Sequence, residues 1–114
     1  MDVFSYIDYE RPVPLEFIDP DGGKPLGIVW KVMHVKCKAA EAYRKESRTR
    51  NSEIDAFQAA GLCVTGWDWG QHSYKDGKVP EFSTDMAAEI LREVDWMFEQ
   101  FAEKASDRGN FTTA

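Results

Sequence analysis

Proton transfer, metal binding and nucleophilic attack need particular side chains, and this sequence of 114 residues holds few of them: two histidines and two cysteines. His34 lies in a run of β-branched and aromatic residues, where a histidine belongs to a sheet face. His72 follows Trp69 in a polar stretch near Asp68 and Asp76. A metal site needs three or four convergent ligands, and Asp68 with His72 supplies two without a recognisable third. The ordinary reading of His72 is a solvated loop residue. Cys37 and Cys63 lack metal-ligand spacing and do not suggest a disulfide framework, so each reads as a buried free thiol. Gly22-Gly23-Lys24 is glycine-rich, but Pro25 follows and no helix opens there, which is not the geometry of a phosphate-binding loop. No Gly-x-Ser-x-Gly turn is present, and the carboxylates of Asp19, Asp21 and the last third of the chain read as solvated acid. The sequence therefore predicts a protein that is not an enzyme, with no catalytic, cofactor-binding or metal-binding residues.

The composition, 43% hydrophobic and 30% charged, is that of an ordinary globular chain long enough for one core. Four Trp, four Tyr and seven Phe give that core much of its volume. The formal net charge of −6 argues against nucleic-acid binding, which needs clustered Lys and Arg. Charge is uneven. From Lys36 to Arg50 six basic residues stand against two acidic ones, a balance of +4; from Glu81 to Asp107 eight acidic residues stand against two basic ones, a balance of −6. The plain reading is two solvated helix faces, and the other is pairing of the patches within or between subunits. The first residues carry no apolar run of the signal-peptide kind, and no stretch approaches the ~20 apolar residues of a membrane helix. A cytoplasmic protein with no membrane contact is the expectation.

The elements that would position these groups follow from periodicity. Residues 1–12 show no period and read as a loosely tied arm. Val13, Leu15 and Phe17 alternate like a half-buried strand, and Asp19-Pro20-Asp21-Gly22-Gly23-Lys24-Pro25 is dense in turn formers. Ile28 to Val35 is a second strand with Ile28, Trp30 and Val32 on one face, which completes a β-hairpin. From Lys38 the period becomes helical, with Ala40, Tyr43 and Ser47 on one side. Asn51-Ser52 offers a cap for a new start, Ile54 and Phe57 would face the core, and Gly61 marks a break. The segment is thus either one long helix or two shorter ones. Leu62 to Gly70 is open between a strand and a helix end, and Gln71 to Glu81 is a loop with Asp76-Gly77 at its tip. Ser83 or Thr84 caps a long C-terminal helix whose apolar stripe includes Ala87, Ile90, Leu91, Val94, Met97, Phe98, Phe101 and Ala105. On that helix Trp96 falls on the polar face with Glu89, Glu93 and Gln100. It either packs on a loop or serves as an exposed anchor. The fold class is α+β: a single domain over 13–106, with a hairpin or small antiparallel sheet on two or three helices and a C-terminal tail over 107–114.

Three stretches in order carry a resemblance. They are Leu15 to Ile28, with its Asp-Pro-x-Gly-Gly-x-Pro-Leu-Gly turn between strands; Gly66-Trp67-Asp68, after a helix holding Arg44, Arg48 and Arg50; and Pro80-Glu81-Phe82-Ser83, leading into a helix with Leu91 and Trp96 and ending near Asn110-Phe111. In this order the chain resembles the tail assembly chaperones of long-tailed phages and prophages over roughly residues 13–111. The resemblance implies a binding protein of the bacterial host's cytoplasm, absent from the finished virion. It would bind the tape measure protein, keep it soluble and help recruit tail-tube subunits. Several members of that family also exist in a longer, frameshifted form. The family has no catalytic residues to carry over.

Such a role needs apolar anchors, and the sequence offers Trp67, Trp69, Trp96 and Phe111 as partner-binding residues. For Trp67 and Trp69 the other reading is local core packing around Gly66 and Gly70. The +4 and −6 segments would join subunits head-to-tail into a ring or spiral. Two other functions fit the same features: a structural tail component of the terminator or connector type, and a small regulatory protein binding a host enzyme.

Overall fold

The computed structural model describes residues 7–112. Residues 1–6 of the expected arm and 113–114 of the expected tail lie outside the described residues. The fold is α+β, a three-stranded antiparallel sheet of order β1-β2-β3 backed by four helices. The elements are β1 (Val13–Ile18), β2 (Pro25–Val32), α1 (Lys38–Thr49), α2 (Ala56–Gly61), β3 (Val64–Asp68), α3 (Thr84–Glu93) and α4 (Asp95–Ser106), with a closing 3-10 turn at Arg108–Phe111.

Strand β1 alternates as its sequence does, burying Val13, Leu15 and Phe17 and exposing Pro14, Glu16 and Ile18. The turn to β2 is built by Asp19. Its Oδ1 accepts from the N–H groups of Asp21 and Gly22, and its carbonyl accepts from Gly23, whose φ of 72° suits a residue without Cβ. Trp30 pairs with Leu15 on one side and Trp67 on the other. The stretch left open between strand and helix is therefore a strand, β3. Trp30, Phe17 and Val32 of the inner face are fully buried against Ile90 and Leu91 of α3 and Phe101 of α4. Each such side chain removed from water contributes about 1.5–3 kcal/mol.

Several expectations need correction. Of the two forms expected for the middle of the chain it takes the two shorter helices, but Asn51-Ser52 stops the first rather than starting the second. Asn51 adopts φ 56° and Ser52 N–H donates to the Ser47 carbonyl, a left-handed helix end. The cap of α2 is Asp55, whose Oδ1 accepts from Phe57 and Gln58. Ile54, placed before that cap, is exposed rather than in the core. Gly61 does end α2, but it is small for a further reason. A Cβ there would sit 2.5 Å from the Thr84 carbonyl and 2.9 Å from Ala88 N, so α2 and α3 touch backbone to backbone.

The long C-terminal helix is two helices. Val94, at φ −113° and ψ 92°, is extended, and it ends α3 and opens α4. The apolar period runs through the break unchanged, which is why the sequence reads as one helix. Two different surfaces take the two halves: α3 lies on α2, and α4 runs beside β1. The tail also folds back. Asp8 N–H donates to the Phe111 carbonyl, Arg11 donates to the carbonyls of Asn110 and Thr112, and Ile7 bridges Thr112. Residues 7–12 and 107–112 thus secure each other instead of hanging loose.

Candidate functional site

The four aromatic anchors do not gather on a surface. Phe111 is fully buried, edge-on to His34 with ring centroids 5.2 Å apart. Trp69 is buried and packs on Trp30, Trp67 and Tyr74. Trp67 is half-buried, donates its indole N–H to the Pro80 carbonyl at 3.1 Å and meets Phe82 edge-on. Trp96 is half-buried and edge-on to Phe17. Its place on the polar face followed from an unbroken helix; beyond the break at Val94 it packs on Phe17 of the sheet. These residues are core and core margin, as the packing alternative for Trp67 and Trp69 has it.

The residues with chemical potential do not converge on one site. His34 is buried, stacked on Tyr9 at 4.2 Å, and its Nδ1 accepts the N–H of Lys36. His72 is exposed, and Asp68 uses Oδ1 to accept the N–H of Gly70 within the turn. Glu93 accepts from Tyr74 and Lys75, pinning the 71–81 loop to α3. Burial first, and then the Glu93 carboxylate, push the Tyr74 hydroxyl up to about 12. Among the described residues no cluster of three or more His, Cys, Asp or Glu could hold a metal ion.

What the fold does build is a groove. A hollow of about 880 Å³ runs between the outer side of β1 and the flank of α4. On the strand side it is lined by Pro14, Glu16, Ile18, Pro20 and Pro25, and on the helix side by Gln100, Glu103, Lys104 and Asp107. Its floor is apolar, and Ile18 is 44% exposed there. Its rim is acidic: Glu16, Asp19, Glu103 and Asp107 against the one ammonium of Lys104. Hydrogen bonds from Asp21 and Gly22 hold the Asp19 carboxyl below its ordinary range, so that charge is secure.

Among the described residues β1 is an edge strand, so its outer main-chain groups have no strand there to pair with. Just past the end of β2 the main chain alternates sides: Met33 N–H donates to Cys63, before β3, and His34 N–H donates the other way, to Tyr9. Carried back through the pairs Val32–Val13 and Trp30–Leu15, that alternation turns the main chain of Glu16 outward. Pro14 has no N–H to offer. At Ile18 a side chain substitutes for a neighbouring strand. Gln100 Oε1 accepts from Ile18 N–H at 2.8 Å, and Gln100 Nε2 donates to the Ile18 carbonyl at 2.7 Å. One carboxamide meets the edge just as a peptide group would.

Neither Gln100 nor Ile18 stood out in the sequence. Ile18 carried a signal in retrospect, an aliphatic residue at an outward position of an alternating strand. Gln100 carried none, because a polar residue on a polar helix face is unremarkable until the fold sets it against a strand edge.

Comparison of the chain with protein-family models, with curated proteins and with solved structures returns no match.

Proposed function

We propose that this chain is a tail assembly chaperone that holds segments of the tape measure protein in the groove between β1 and α4. The observation that carries the reading is the groove along the edge of β1, where the main chain of Glu16 faces outward and the Gln100 amide already sits on Ile18 as a peptide group would. Such an edge takes an extended polypeptide by main-chain hydrogen bonds, with side-chain contacts for selectivity. Four carboxylates around one ammonium favour a client segment that mixes basic and apolar residues. A chaperone that keeps a long, sticky chain soluble needs this generic, backbone-directed grip. The order of the turn, the Gly-Trp-Asp strand and the capped helix along the chain supports the same reading.

The protein acts as a binding module without catalysis, in the cytoplasm of the bacterial host, and leaves before the virion is complete. Among the described residues no helix is long and apolar enough to cross a membrane. Recruitment of tail-tube subunits and a ring or spiral of copies belong to the same proposal. The charged segments are available for it: Arg44 and Arg50 pair within α1, with Glu41 and Glu46, and Arg92 pairs with Asp55. No ion pair among the described residues joins α1 to α3 or α4.

Co-expression with the tape measure protein of the same phage or prophage tests the reading. Soluble tape measure that elutes with this chain supports it. Tape measure that stays insoluble, with this chain instead found in purified virions, replaces it with a structural tail component.

A further inference from the structure

The two cysteines are 26 positions apart in sequence, yet their sulfurs lie 3.6 Å apart, both fully buried. The fold puts them in contact by two independent routes. Cys37 is the N-cap of α1, positioned by its own N–H donating to the His34 carbonyl at the end of the β2 segment. Cys63 sits between α2 and β3, with its N–H on the Ala60 carbonyl and its own carbonyl accepting Met33 N–H. Its thiol lies 3.5 Å from the Ala59 carbonyl. Both cysteines are free.

The two sulfurs are not equivalent. Cys37 stands at the positive end of a twelve-residue helix, beside the N–H groups of Ala39 and Ala40, while Cys63 has a carbonyl for a neighbour. Contact with the Cys63 sulfur shifts the Cys37 thiol downward against the opposing effect of burial, and contact with Cys37 together with burial shifts Cys63 upward. The two sulfurs therefore differ in surroundings while lying in van der Waals reach of each other. Forming a bond of about 2.05 Å needs the sulfurs to close by only about 1.5 Å.

We propose that Cys37 and Cys63 are a redox modification site, converted by a hydroperoxide into a reversible intramolecular disulfide. The Cys37 thiolate attacks one oxygen of the peroxide, the O–O bond breaks, and the other oxygen leaves as hydroxide or alkoxide and takes a proton. The sulfenic acid on Cys37 is then attacked by the Cys63 sulfur. The S–S bond forms as the S–O bond breaks, and the hydroxyl departs with the Cys63 proton as water. Two electrons pass from the sulfurs to the peroxide, which ends as water, or as an alcohol and water. Both sulfurs are fully buried and the Glu10 carboxylate accepts Lys38 N–H over the start of α1, so in this proposal the peroxide enters when that segment opens. This proposal does not depend on the chaperone reading.

The test is intact-mass spectrometry of the folded protein after exposure to hydrogen peroxide, with a peptide map. The expected product has lost two hydrogens, contains the Cys37–Cys63 cross-link and returns to the starting mass with dithiothreitol. In Cys63→Ser the sulfenic acid on Cys37 has no partner, so it accumulates and is trapped by dimedone. In Cys37→Ser oxidation under the same conditions is lost. A wild-type protein that stays unmodified while folded, or that gains oxygen atoms at either cysteine without forming the cross-link, overturns the proposal. The wild-type measurement stands even if neither variant folds.

Discussion

The carboxamide of Gln100 hydrogen-bonds both main-chain groups of Ile18, at 2.8 and 2.7 Å, across 82 positions of sequence. It joins α4 to the outer edge of the sheet and fixes the width of the groove between them. A single side chain thereby marks how that edge is read: as an acceptor and donor pair spaced like a peptide group.

Replacing Gln100 by Ala removes both bonds but leaves Ile18 accessible to water, so the cost in stability is modest, about 0.5–1.5 kcal/mol. Gln100→Glu keeps an acceptor for Ile18 N–H and sets a carboxylate oxygen against the carbonyl, so it behaves no better than Ala. Urea denaturation of the three proteins checks this; a neutral Gln100→Ala would mean that the pair contributes nothing.

Phe111→Ala and Trp69→Ala lower stability by about 3–5 kcal/mol each, because both rings are buried. Against the total of about 5–15 kcal/mol for a small domain, either change leaves a marginal fold. If these rings were surface anchors, the variants would keep wild-type midpoints and lose only partner binding. Thermal and urea midpoints separate the two cases.

Gly61→Ala forces a Cβ against the Thr84 carbonyl and Ala88 N, both backbone atoms that cannot rotate away. The α2–α3 crossing opens, at a cost of about 1–3 kcal/mol. Alanine is otherwise the better helix former, so a stabilised Gly61→Ala protein would show that the two helices do not touch there.

His34 gives the fold a dependence on pH. Burial chiefly, then the charges of Lys36 and Arg108, keep its imidazole below the ordinary value of 6.5, with the Ser106 carbonyl pulling the other way. A base whose folded pKa is lowered binds its proton more readily when unfolded. Stability is therefore full above 6.5 and falls as pH drops from there through the lower folded value. Urea midpoints at about pH 7.5 and about pH 5.5 should differ in wild type and converge in His34→Phe, which keeps the stack with Tyr9 and Phe111 but cannot titrate. A slope that persists in the variant assigns it to another group.

Much of the sheet was legible in the sequence, because alternation at Val13, Leu15 and Phe17 and the Asp-Pro-Asp-Gly-Gly turn are local physics. The same holds for the caps at Ser83 and the loop tip at Asp76-Gly77. What stayed hidden depends on partners far along the chain. Val94 fits the apolar period of one helix, and only the separate surfaces under α3 and α4 demand a break there. Phe111 follows Asp-Arg-Gly-Asn, which reads as a frayed end; its burial is made by residues 7–12 and His34, about a hundred and about eighty positions away. The groove was invisible for the same reason. No local pattern announces that a glutamine on α4 will face a strand edge, and the aromatic residues drew attention away from an isoleucine.

The central claim is that the edge groove of β1 grips the tape measure protein, and co-purification with a groove variant tests it most directly. Ile18→Lys with Glu103→Lys leaves the buried core untouched, removes the exposed aliphatic contact and cancels the excess of negative charge along the groove. The account predicts that the wild-type chain holds the tape measure protein in solution and elutes with it, while the doubly substituted chain, equally folded by circular dichroism, does neither. Equal recovery of tape measure with both chains would contradict it, and would move the binding surface elsewhere on the molecule.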